Sequence, residues 1–323
     1  MYFDEKNSFF HGIMFHHFHD QNLHSKSQGS ISKDDLYKII NFVGRENIIN
    51  ADIFFKKFKE KKLRSNEICL TFDDGIKSQF DVALPVLEDL GIKGFFFVYS
   101  SMFENKPDYI EVFRYFRQNF YKEINDFYRD FFRTLNVNLE KFFKKNKLKI
   151  DNIKLKAPYY SLEDIKFRIT RDEYLNRENY KNLMFLLMRK KNFSAEKYFS
   201  RLFFSEKNLK DLHDMGHIIG LHSHSHPTLI EKLNYENQFN EYNTCILKLS
   251  KLLNIPRKEI KCMSHPCGSY NKDTLKILSK LGIELGFKQI MTIEKDKGMK
   301  AVNNSPLEIA REDHSKIMQR LNL

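Results

Sequence analysis

Two adjacent carboxylates, Asp73 and Asp74, stand at the end of a strongly apolar stretch, and residues of this type could do chemistry. The apolar residues 68–72 predict a buried strand, and Gly75 permits a tight turn directly after the pair. Successive side chains of a strand point to opposite faces, so one carboxylate could face a metal ion and the other a water molecule or a substrate. A strand-to-loop Asp-Asp-Gly can also be a simple polar turn. Metal-ligand residues elsewhere in the chain would favour the functional interpretation over the polar turn.

Three histidines follow a second apolar stretch and supply those partners. Residues 217–221 predict a strand that ends in His222, His224 and His226. Imidazole and carboxylate ligands with an open position for water are typical of catalytic zinc sites, and His222 and His226, four residues apart, can converge on one ion. Ser223 stands where the zinc-protease motif has its glutamate, which excludes that protease class. A single histidine at a strand end is more often structural, but three of them and a matching carboxylate pair predict a metal site.

A third polar group follows the predicted strand at residues 12–15. It begins with His16 and contains two more histidines and an aspartate within five residues. These side chains could be metal ligands, or they could line the polar mouth of a loop. His16 and the middle histidine of the later group, His224, are therefore candidates for an additional site.

The elements between these residues alternate as they do in a parallel sheet. Residues 83–90 predict a helix with Pro85 in its first turn and Gly91 after its end, and residues 92–99 predict the next strand. A strand, a helix and a strand in sequence imply parallel pairing with a right-handed crossover. In such folds the carboxyl ends of the strands carry the functional residues, which is where the carboxylates and the histidines lie.

Residues 105–205 differ in character from the rest of the chain. Phenylalanines at steps of three and four between residues 113 and 131 predict an amphipathic helix, and the stretch that follows is rich in Lys, Asn and Phe without clear strands. We therefore predict three segments. Residues 1–104 form the first part of the parallel fold, 105–205 a helical insertion or lid, and 206–323 the second part.

The composition bounds the setting in which these residues act. The chain of 323 residues carries a formal charge of +12, which would suit an anionic membrane surface, a phosphorylated substrate or a nucleic acid. No nucleic-acid-binding module is visible, so a nucleic-acid partner is not expected. The four cysteines form no Cys-x-x-Cys pair, and neither a signal peptide nor a long apolar stretch is present. These features predict free thiols and a cytoplasmic or membrane-peripheral protein, and they leave its oligomeric state open.

The motifs together resemble those of the polysaccharide deacetylases, the NodB-like group also known as carbohydrate esterase family 4. Residues 71–75 resemble the first motif of that family and residues 222–227 the second. Residues 264–271 resemble the Pro-x-Gly form of the third motif. The inserted segment at 105–205 has no recognised counterpart.

The resemblance implies an α/β fold of the distorted (β/α)7 barrel type and one Zn²⁺ or other divalent metal ion per chain, held by Asp74, His222 and His226. It implies that Asp73 is the base that takes a proton from the attacking water. It also implies that the backbone N–H of Cys267, the residue after the proline of the third motif, is a donor to the oxyanion. The substrate-binding residues implied by the third motif are His265, Pro266, Cys267, Gly268 and Tyr270.

Two departures from the family pattern concern charge and proton transfer. Ser264 stands where many members have an arginine that steadies the base. Arg311 follows residues 307–310, which predict a late strand, and it could replace that arginine by pairing with Asp73 through both guanidinium nitrogens, or it could be a surface residue. His314 is the only histidine after the third motif, so it is the default candidate for the general acid, and it could equally be inert.

The function implied by the resemblance is hydrolysis of an N-acyl group, first of all N-acetyl, on a sugar, a nucleotide sugar or a glycan. The setting would be the synthesis or modification of a surface polysaccharide. Two alternatives stay open, a deformylase or amidohydrolase that acts on a non-sugar amide, and an inactive barrel whose basic insertion binds an anionic glycan, lipid or nucleic acid. Asp73 argues against the inactive barrel, because a binding module has no use for a base beside a metal ion.

Overall fold

Seven parallel strands form the centre of the protein. The computed structural model describes residues 2–3, 9–27, 29–156, 160–289 and 305–322. The strands are β1 (His11–Phe15), β2 (Ile68–Asp73), β3 (Phe95–Val98), β4 (Ile218–Leu221), β5 (Cys262–Ser264), β6 (Leu285–Phe287) and β7 (Arg311–Asp313).

The order of the strands produces a nearly closed barrel. Along the sheet they run β6, β5, β4, β3, β2, β1 and β7, and every neighbouring pair is parallel. A parallel bridge joins Phe287 at the end of β6 to Ile309, two residues before β7, and brings the two edges of the sheet together. The predicted α/β barrel of seven strands is therefore confirmed.

Helices connect the strands, and the chain divides into two compact units. One unit comprises residues 1–108 and 200–323, and the other comprises residues 109–199. In the first unit the helices are α1 (Lys33–Val43), α2 (Ala51–Lys59), α3 (Leu84–Asp89), α11 (Glu206–Asp214), α12 (Tyr235–Leu253), α13 (Lys272–Lys280) and the C-terminal helix His314–Arg320, with the short α10 (Phe199–Leu202) at the boundary.

The second unit, residues 109–199, is helical throughout its described part. Its helices are α4 (Tyr109–Asn119), α5 (Ile124–Leu135), α6 (Glu140–Lys145), α7 (Lys147–Lys156), α8 (Leu162–Ile169) and α9 (Arg177–Lys190). The predicted phenylalanine stripe belongs to two helices and not to one, because Glu123 starts a new helix with a capping box. Phe116, Phe127 and Phe131 are nevertheless fully buried, as a core stripe requires.

Aromatic side chains fill the barrel. Phe95 of β3 and Phe287 of β6 lie with ring centroids 5.3 Å apart, and both rings are fully buried. The interior also needs a small residue beside Arg311. A Cβ atom on Gly12 would lie 3.1 Å from the Arg311 side chain, so this glycine leaves room for the arginine stem inside the barrel.

Within the described residues, no helix combines the length and the apolar character needed to cross a bilayer.

His217, the residue directly before β4, is expected to make the stability of the fold sensitive to acid. Its buried Nδ1 atom accepts a hydrogen bond from the backbone N–H of Gly94, and burial lowers its pKa from 6.5 to about 4. Because the folded state binds this proton less readily than the unfolded state, the contribution is complete above pH 6.5 and is lost as the pH falls toward 4. At the low end, the loss should be on the order of 3 kcal/mol.

Chemical denaturation of the native chain and of His217→Asn at several pH values tests this expectation. The asparagine oxygen can still accept the Gly94 hydrogen bond but does not titrate, so the variant should lose less stability between pH 6.5 and 4.5 than the native chain. Identical pH profiles for the two proteins would contradict the assignment.

Candidate active site

The carboxylate pair lies where β2 ends. Asp73 is the last residue of β2 and is buried, and Asp74 begins the turn with a backbone φ of +74°. Gly75 continues that turn with a φ of +61°. The change from an extended to a left-handed backbone directs the two carboxylates to different partners, as the alternation of a strand predicts.

Asp74 faces two of the three histidines that follow β4. Its Oδ1 atom lies 3.1 Å from Nε2 of His222 and 3.3 Å from Nε2 of His226. The three potential ligand atoms lie within 4.8 Å of one another, and they form the only such His, Cys, Asp and Glu group in the part of the chain that the structure describes. The predicted metal ligands therefore meet at one point.

The hydrogen bonds of the two histidines show that this cluster fits a cation. The Nδ1 atom of His222 donates to the carbonyl oxygen of Ser264 over 3.0 Å, and Nδ1 of His226 donates to Oδ2 of Asp108 over 2.9 Å. With the protons on Nδ1, each Nε2 atom presents a lone pair to Asp74. The buried Oδ1 atom of Asp74 has no hydrogen-bond partner among the described residues. In this neutral form of the two rings, three electron pairs converge on one point, which is the arrangement that a divalent metal ion satisfies.

The charges in the cluster support the same assignment. Burial tends to raise the pKa of Asp74, but the neighbouring imidazoles of His226 and His222 outweigh it and hold the pKa well below its usual value. Burial tends to lower the pKa of His226, but Asp74 and Asp108 outweigh it and raise the pKa well above 6.5. Without an ion the ring therefore holds a proton, and a metal ion would displace that proton.

Asp73 pairs with Arg311 through both guanidinium nitrogens. The distances from Nη1 to Oδ1 and from Nη2 to Oδ2 are both 2.7 Å, and both side chains are almost fully buried. The hydroxyl of Ser264 donates to Oδ1 of Asp73 over 3.1 Å, and it also accepts from Nδ1 of His222 over 2.7 Å. Ser264 thus connects Asp73 to His222 of the metal cluster. It does so from the position where the family pattern described above has an arginine.

Arg311 reaches this position from the first residue of β7. The sequence predicts a strand at residues 307–310, but the strand that pairs with β1 starts at Arg311 itself. The guanidinium also donates to the hydroxyl of Thr71 over 3.2 Å. Burial tends to raise the pKa of Asp73, and the Arg311 guanidinium outweighs it, so the pKa lies below its usual value and the carboxylate is ionised at neutral pH.

Four residues around the site have a left-handed backbone. Asp74, Ser223, His226 and Cys267 all have positive φ angles, between +51° and +74°. Residues other than glycine adopt this conformation rarely, and proteins retain it chiefly where the surrounding structure serves a function. Nothing in the sequence marks these four positions, because each of the four residue types is common in ordinary backbone conformations.

The two candidates for an additional site lie outside the cluster. The Nε2 atom of His16 is 3.9 Å from Oδ2 of Asp74, so the ring lies beside the cluster without direct contact. Nδ1 of His224 lies 2.8 Å from the hydroxyl of Ser100, and its backbone N–H donates to Glu241. The structure does not bring these two histidines together with a third ligand among the described residues.

The residues of the third motif lie after β5. His265 is fully buried, its Nε2 atom donates to the carbonyl oxygen of Leu307 over 2.8 Å, and burial lowers its pKa to about 3. Its ring stacks on Tyr270 with centroids 4.1 Å apart, while Cys267 is exposed. These contacts favour a structural role for His265, and its assignment to substrate binding, with Pro266 and Gly268, stays a prediction.

His314 starts the C-terminal helix and is buried. Its Nδ1 atom lies 3.2 Å from the carbonyl oxygen of Met14, and its Nε2 atom lies 3.0 Å from that of Gly29. Both ring nitrogens thus face backbone carbonyl oxygens. A role as general acid stays a prediction, and the contacts favour the inert alternative.

Asp108 is a site residue that the sequence analysis missed. Asp108 lies at the end of the first barrel segment, 34 positions after Asp74, and its carboxylate accepts the hydrogen bond from Nδ1 of His226. No local sequence motif marks it. Carboxylates that bind the free nitrogen of a metal-binding histidine fix its orientation and increase its basicity. The one hint in the sequence was that His226, the second histidine of the His-x-x-x-His motif, would need a hydrogen-bond acceptor for its free ring nitrogen.

Asp108→Ala is therefore expected to weaken metal binding about 10–100-fold while leaving the three ligands in place. The measurement is a competition between the protein and a coloured chelator at fixed pH. Asp89→Ala is the matched control, because Asp89 is an exposed carboxylate of the same unit whose partner is the hydroxyl of Tyr37. Equal affinities for the Asp108 variant and this control would contradict the orienting role.

Comparisons with known proteins agree with this geometry. A family model described as polysaccharide deacetylase matches residues 60–116 and 171–286, which together make up more than half of the chain. No curated protein sequence matches the chain. Sixteen chains of solved structures match, and these likenesses, at low identity, concern the fold.

Three of these structures illustrate the extent of the match. The deacetylase PplD from Streptococcus pyogenes, in complex with acetate, is 15% identical with a TM-score of 0.55, covering 95% of this chain and 96% of that one. IcaB from Ammonifex degensii is 13% identical with a TM-score of 0.55, covering 95% of this chain and 92% of that one. A de-N-acetylase from Aggregatibacter actinomycetemcomitans is 12% identical with a TM-score of 0.52, covering 96% of this chain and 98% of that one.

Proposed function

The chain belongs to the polysaccharide deacetylase family of hydrolases, which act on carbon–nitrogen amide bonds of sugars, and from this premise we propose that it is a metal-dependent N-deacetylase of a sugar or glycan. The observation that carries the proposal is the position of the Asp73 and Arg311 ion pair directly beside the cluster of Asp74, His222 and His226. A base with a fixed orientation next to three metal ligands is what hydrolysis of an unactivated amide requires.

Asp74, His222 and His226 would hold the metal ion, and the donor set fits Zn²⁺. A divalent ion there would polarise the amide carbonyl and lower the pKa of the attacking water. Asp73 accepts the proton of that water. Because Arg311 binds both oxygens of Asp73 and Ser264 binds one, the carboxylate is held in one orientation, yet its remaining lone pairs can still accept a proton.

The same ion pair explains where the proton goes next. Arg311 stabilises the ionised form of Asp73, so the protonated form is unfavourable and readily gives its proton to the leaving amine. In this scheme Asp73 acts first as a base and then as an acid, and no separate histidine acid is needed. The predicted oxyanion donor is the backbone N–H of Cys267, which lies in the turn after β5.

An N-acetylated sugar, nucleotide sugar or glycan is the proposed substrate, in the synthesis or modification of a surface polysaccharide. Acetate bound to the PplD deacetylase supports acetyl as the group removed. We propose that the protein acts in the cytoplasm or at a membrane surface.

Measuring released acetate and formate tests the proposal. The protein is incubated with N-acetylated oligosaccharides and nucleotide sugars, with and without chelator, and Asp73→Asn serves as the blank. We expect acetate from at least one sugar substrate, and we expect the chelator to abolish its release. Formate or acetate released only from non-sugar amides would replace the proposed substrate class, and no release from either class would leave the inactive barrel as the better account.

A further inference from the structure

Helix α7 carries two leucines that are almost fully exposed to water. Leu148 is 81% exposed and Leu155 is 79% exposed, whereas the next most exposed large apolar side chain among the described residues, Leu23, reaches 55%. Residues seven positions apart lie on the same face of an α-helix, about two turns from each other. Leu148 and Leu155 therefore form one apolar strip on the surface of the unit of residues 109–199, which we call the leucine strip.

The opposite face of α7 is apolar as well, and it is the face that the core uses. Ile150 is buried in a cluster with Ile165 of α8, and Ile153 packs against the same cluster. Positions 150 and 153 lie roughly half a turn away from the leucine strip around the helix. Packing within the unit therefore explains the two isoleucines, and it leaves the leucine strip without a role in the core.

The positive charge of the protein is concentrated around the leucine strip. The unit of residues 109–199 contains 21 Lys and Arg residues against 12 Asp and Glu residues, a net charge of +9 out of the +12 of the whole chain. Within it, residues 141–156 contain seven lysines and one aspartate, a net charge of +6. These residues make up α7 and nearly all of α6. The leucine strip thus lies in the most basic segment of the unit.

Lysines flank the leucine strip on both sides of α7. Lys147 and Lys154, again seven positions apart, lie along one side, are exposed and form no ion pair with a described residue. Lys149 lies on the other side and pairs with Glu173. The outer face of α7 is therefore apolar along its middle and basic along its edges.

Exposed leucines between lysines match the chemistry of an anionic lipid bilayer. The interface of a bilayer takes up apolar side chains below the headgroups, while the long lysine stems keep their ammonium groups at the level of the phosphates. Clusters of about four to eight basic residues on such a helix are typical of binding to anionic lipids. A second copy of the chain is a poor occupant, because two segments of the same strong positive charge would face each other across the contact.

We propose that the leucine strip, with Lys147 and Lys154, binds the surface of an anionic lipid bilayer. Helix α7 would lie in the plane of the surface, with both leucines below the headgroups and the core of the unit on the other side of the helix. The inference refines the membrane setting proposed above, but it does not depend on the proposed hydrolysis, because binding to vesicles is measured without turnover. Its failure would leave the proposed deacetylation unaffected.

Sedimentation of the full-length protein with lipid vesicles tests the surface. We expect the native chain to bind vesicles of equimolar phosphatidylcholine and phosphatidylglycerol, less tightly as the salt concentration rises, and to bind phosphatidylcholine vesicles far more weakly. The double variant Leu148→Gln, Leu155→Gln should bind the mixed vesicles about tenfold or more weakly, since both leucines lose their apolar burial. Glutamine is a good helix former and both positions are exposed, so the fold should be unchanged.

Leu247→Gln is the matched control for the leucine variant. Leu247 is an exposed leucine of α12 in the other unit, and that helix carries two lysines and two glutamates, so it has no excess charge. This variant should bind the mixed vesicles as the native chain does. Native-like binding by the leucine double variant, or an equal loss in the Leu247 variant, would overturn the proposal.

The absence of tryptophan from the chain allows the contact to be observed directly. Leu155→Trp introduces a single tryptophan, whose emission should shift to the blue and become protected from acrylamide when the mixed vesicles are added. Leu247→Trp is its control and should show neither change. Unchanged emission of the Leu155 variant while it is bound to vesicles, or the same shift in the control, would show that α7 does not enter the bilayer surface.

A lysine variant separates a docking surface from general attraction between a basic protein and anionic vesicles. Lys147→Gln, Lys154→Gln should lower the affinity for the mixed vesicles more than Lys207→Gln, Lys276→Gln, which removes two exposed lysines of the other unit. Equal losses in the two double variants would overturn the proposal in favour of general attraction. No binding of the native chain to the mixed vesicles would overturn it as well, and a dimer that dissociates in the leucine double variant would identify a second copy of the chain as the occupant.

Discussion

Asp73→Asn is expected to keep the metal ion and to lower turnover by roughly 10²–10⁴-fold, the usual contribution of a general base. The asparagine is nearly isosteric and can still accept from Arg311 and Ser264 through its oxygen, so the fold of the site should survive. It cannot accept a proton from water. Turnover is measured as acetate release, and metal content by elemental analysis of the same preparations.

Asp74→Asn is the matched control, because it changes the neighbouring carboxylate in the same way but removes a metal ligand. This variant should lose the ion as well as the activity. An empty site in Asp73→Asn, or a retained ion in Asp74→Asn, would show that the roles of the two aspartates are reversed. In the double variant Asp73→Asn, Arg311→Ala the losses should be far from additive, because the two residues act through one ion pair.

His222→Ala and His226→Ala are each expected to lose the metal ion, with affinity reduced by more than the roughly 10–100-fold typical of changes in residues that only support a ligand. Both imidazoles direct Nε2 at Asp74, so each substitution removes one of the three ligands of the metal ion. Affinity is measured by chelator competition, and activity should fall in parallel.

His224→Ala is the matched control within the same short segment. The ring of His224 is directed at the hydroxyl of Ser100, so this variant should bind the ion as the native chain does. Metal loss in His224→Ala, or normal metal content in His226→Ala, would contradict the ligand set. The comparison needs no substrate and can therefore be made before the acceptor sugar is known.

The parts of the site that are local in sequence could be predicted. An apolar strand followed by polar residues places those residues at the carboxyl edge of a parallel sheet, which is why Asp73, Asp74, His222 and His226 were assigned together. The pairing of Arg311 with Asp73 was one of two alternatives that the sequence left open, and the reason to consider it was a missing positive charge. Ser264 carries no charge, a buried carboxylate that must stay ionised needs one, and the late arginine was the available donor.

The parts that depend on long-range packing could not be predicted in this way. Asp108 meets His226 only because two distant segments of the barrel unit approach each other, and neither residue's neighbours in sequence indicate it. The left-handed backbone at Ser223 and Cys267 follows from tertiary constraints that override the preferences of these residue types. The start of β7 at Arg311 was misplaced by four residues, because the apolar residues before it pack and bridge to β6 without forming the strand.

Stepwise metal reconstitution tests most directly whether acetate release requires one metal ion bound by Asp74, His222 and His226. The native chain is stripped of metal with a chelator, Zn²⁺ is added back in fractions of the protein concentration, and acetate release from an N-acetylated oligosaccharide that the native chain cleaves is measured at each step. We expect that activity is absent at first, rises in proportion to the added ion and reaches its plateau at one ion per chain, with no recovery in His222→Ala. Full acetate release by the stripped protein, or recovery in the His222 variant at the same ion concentration, would contradict it.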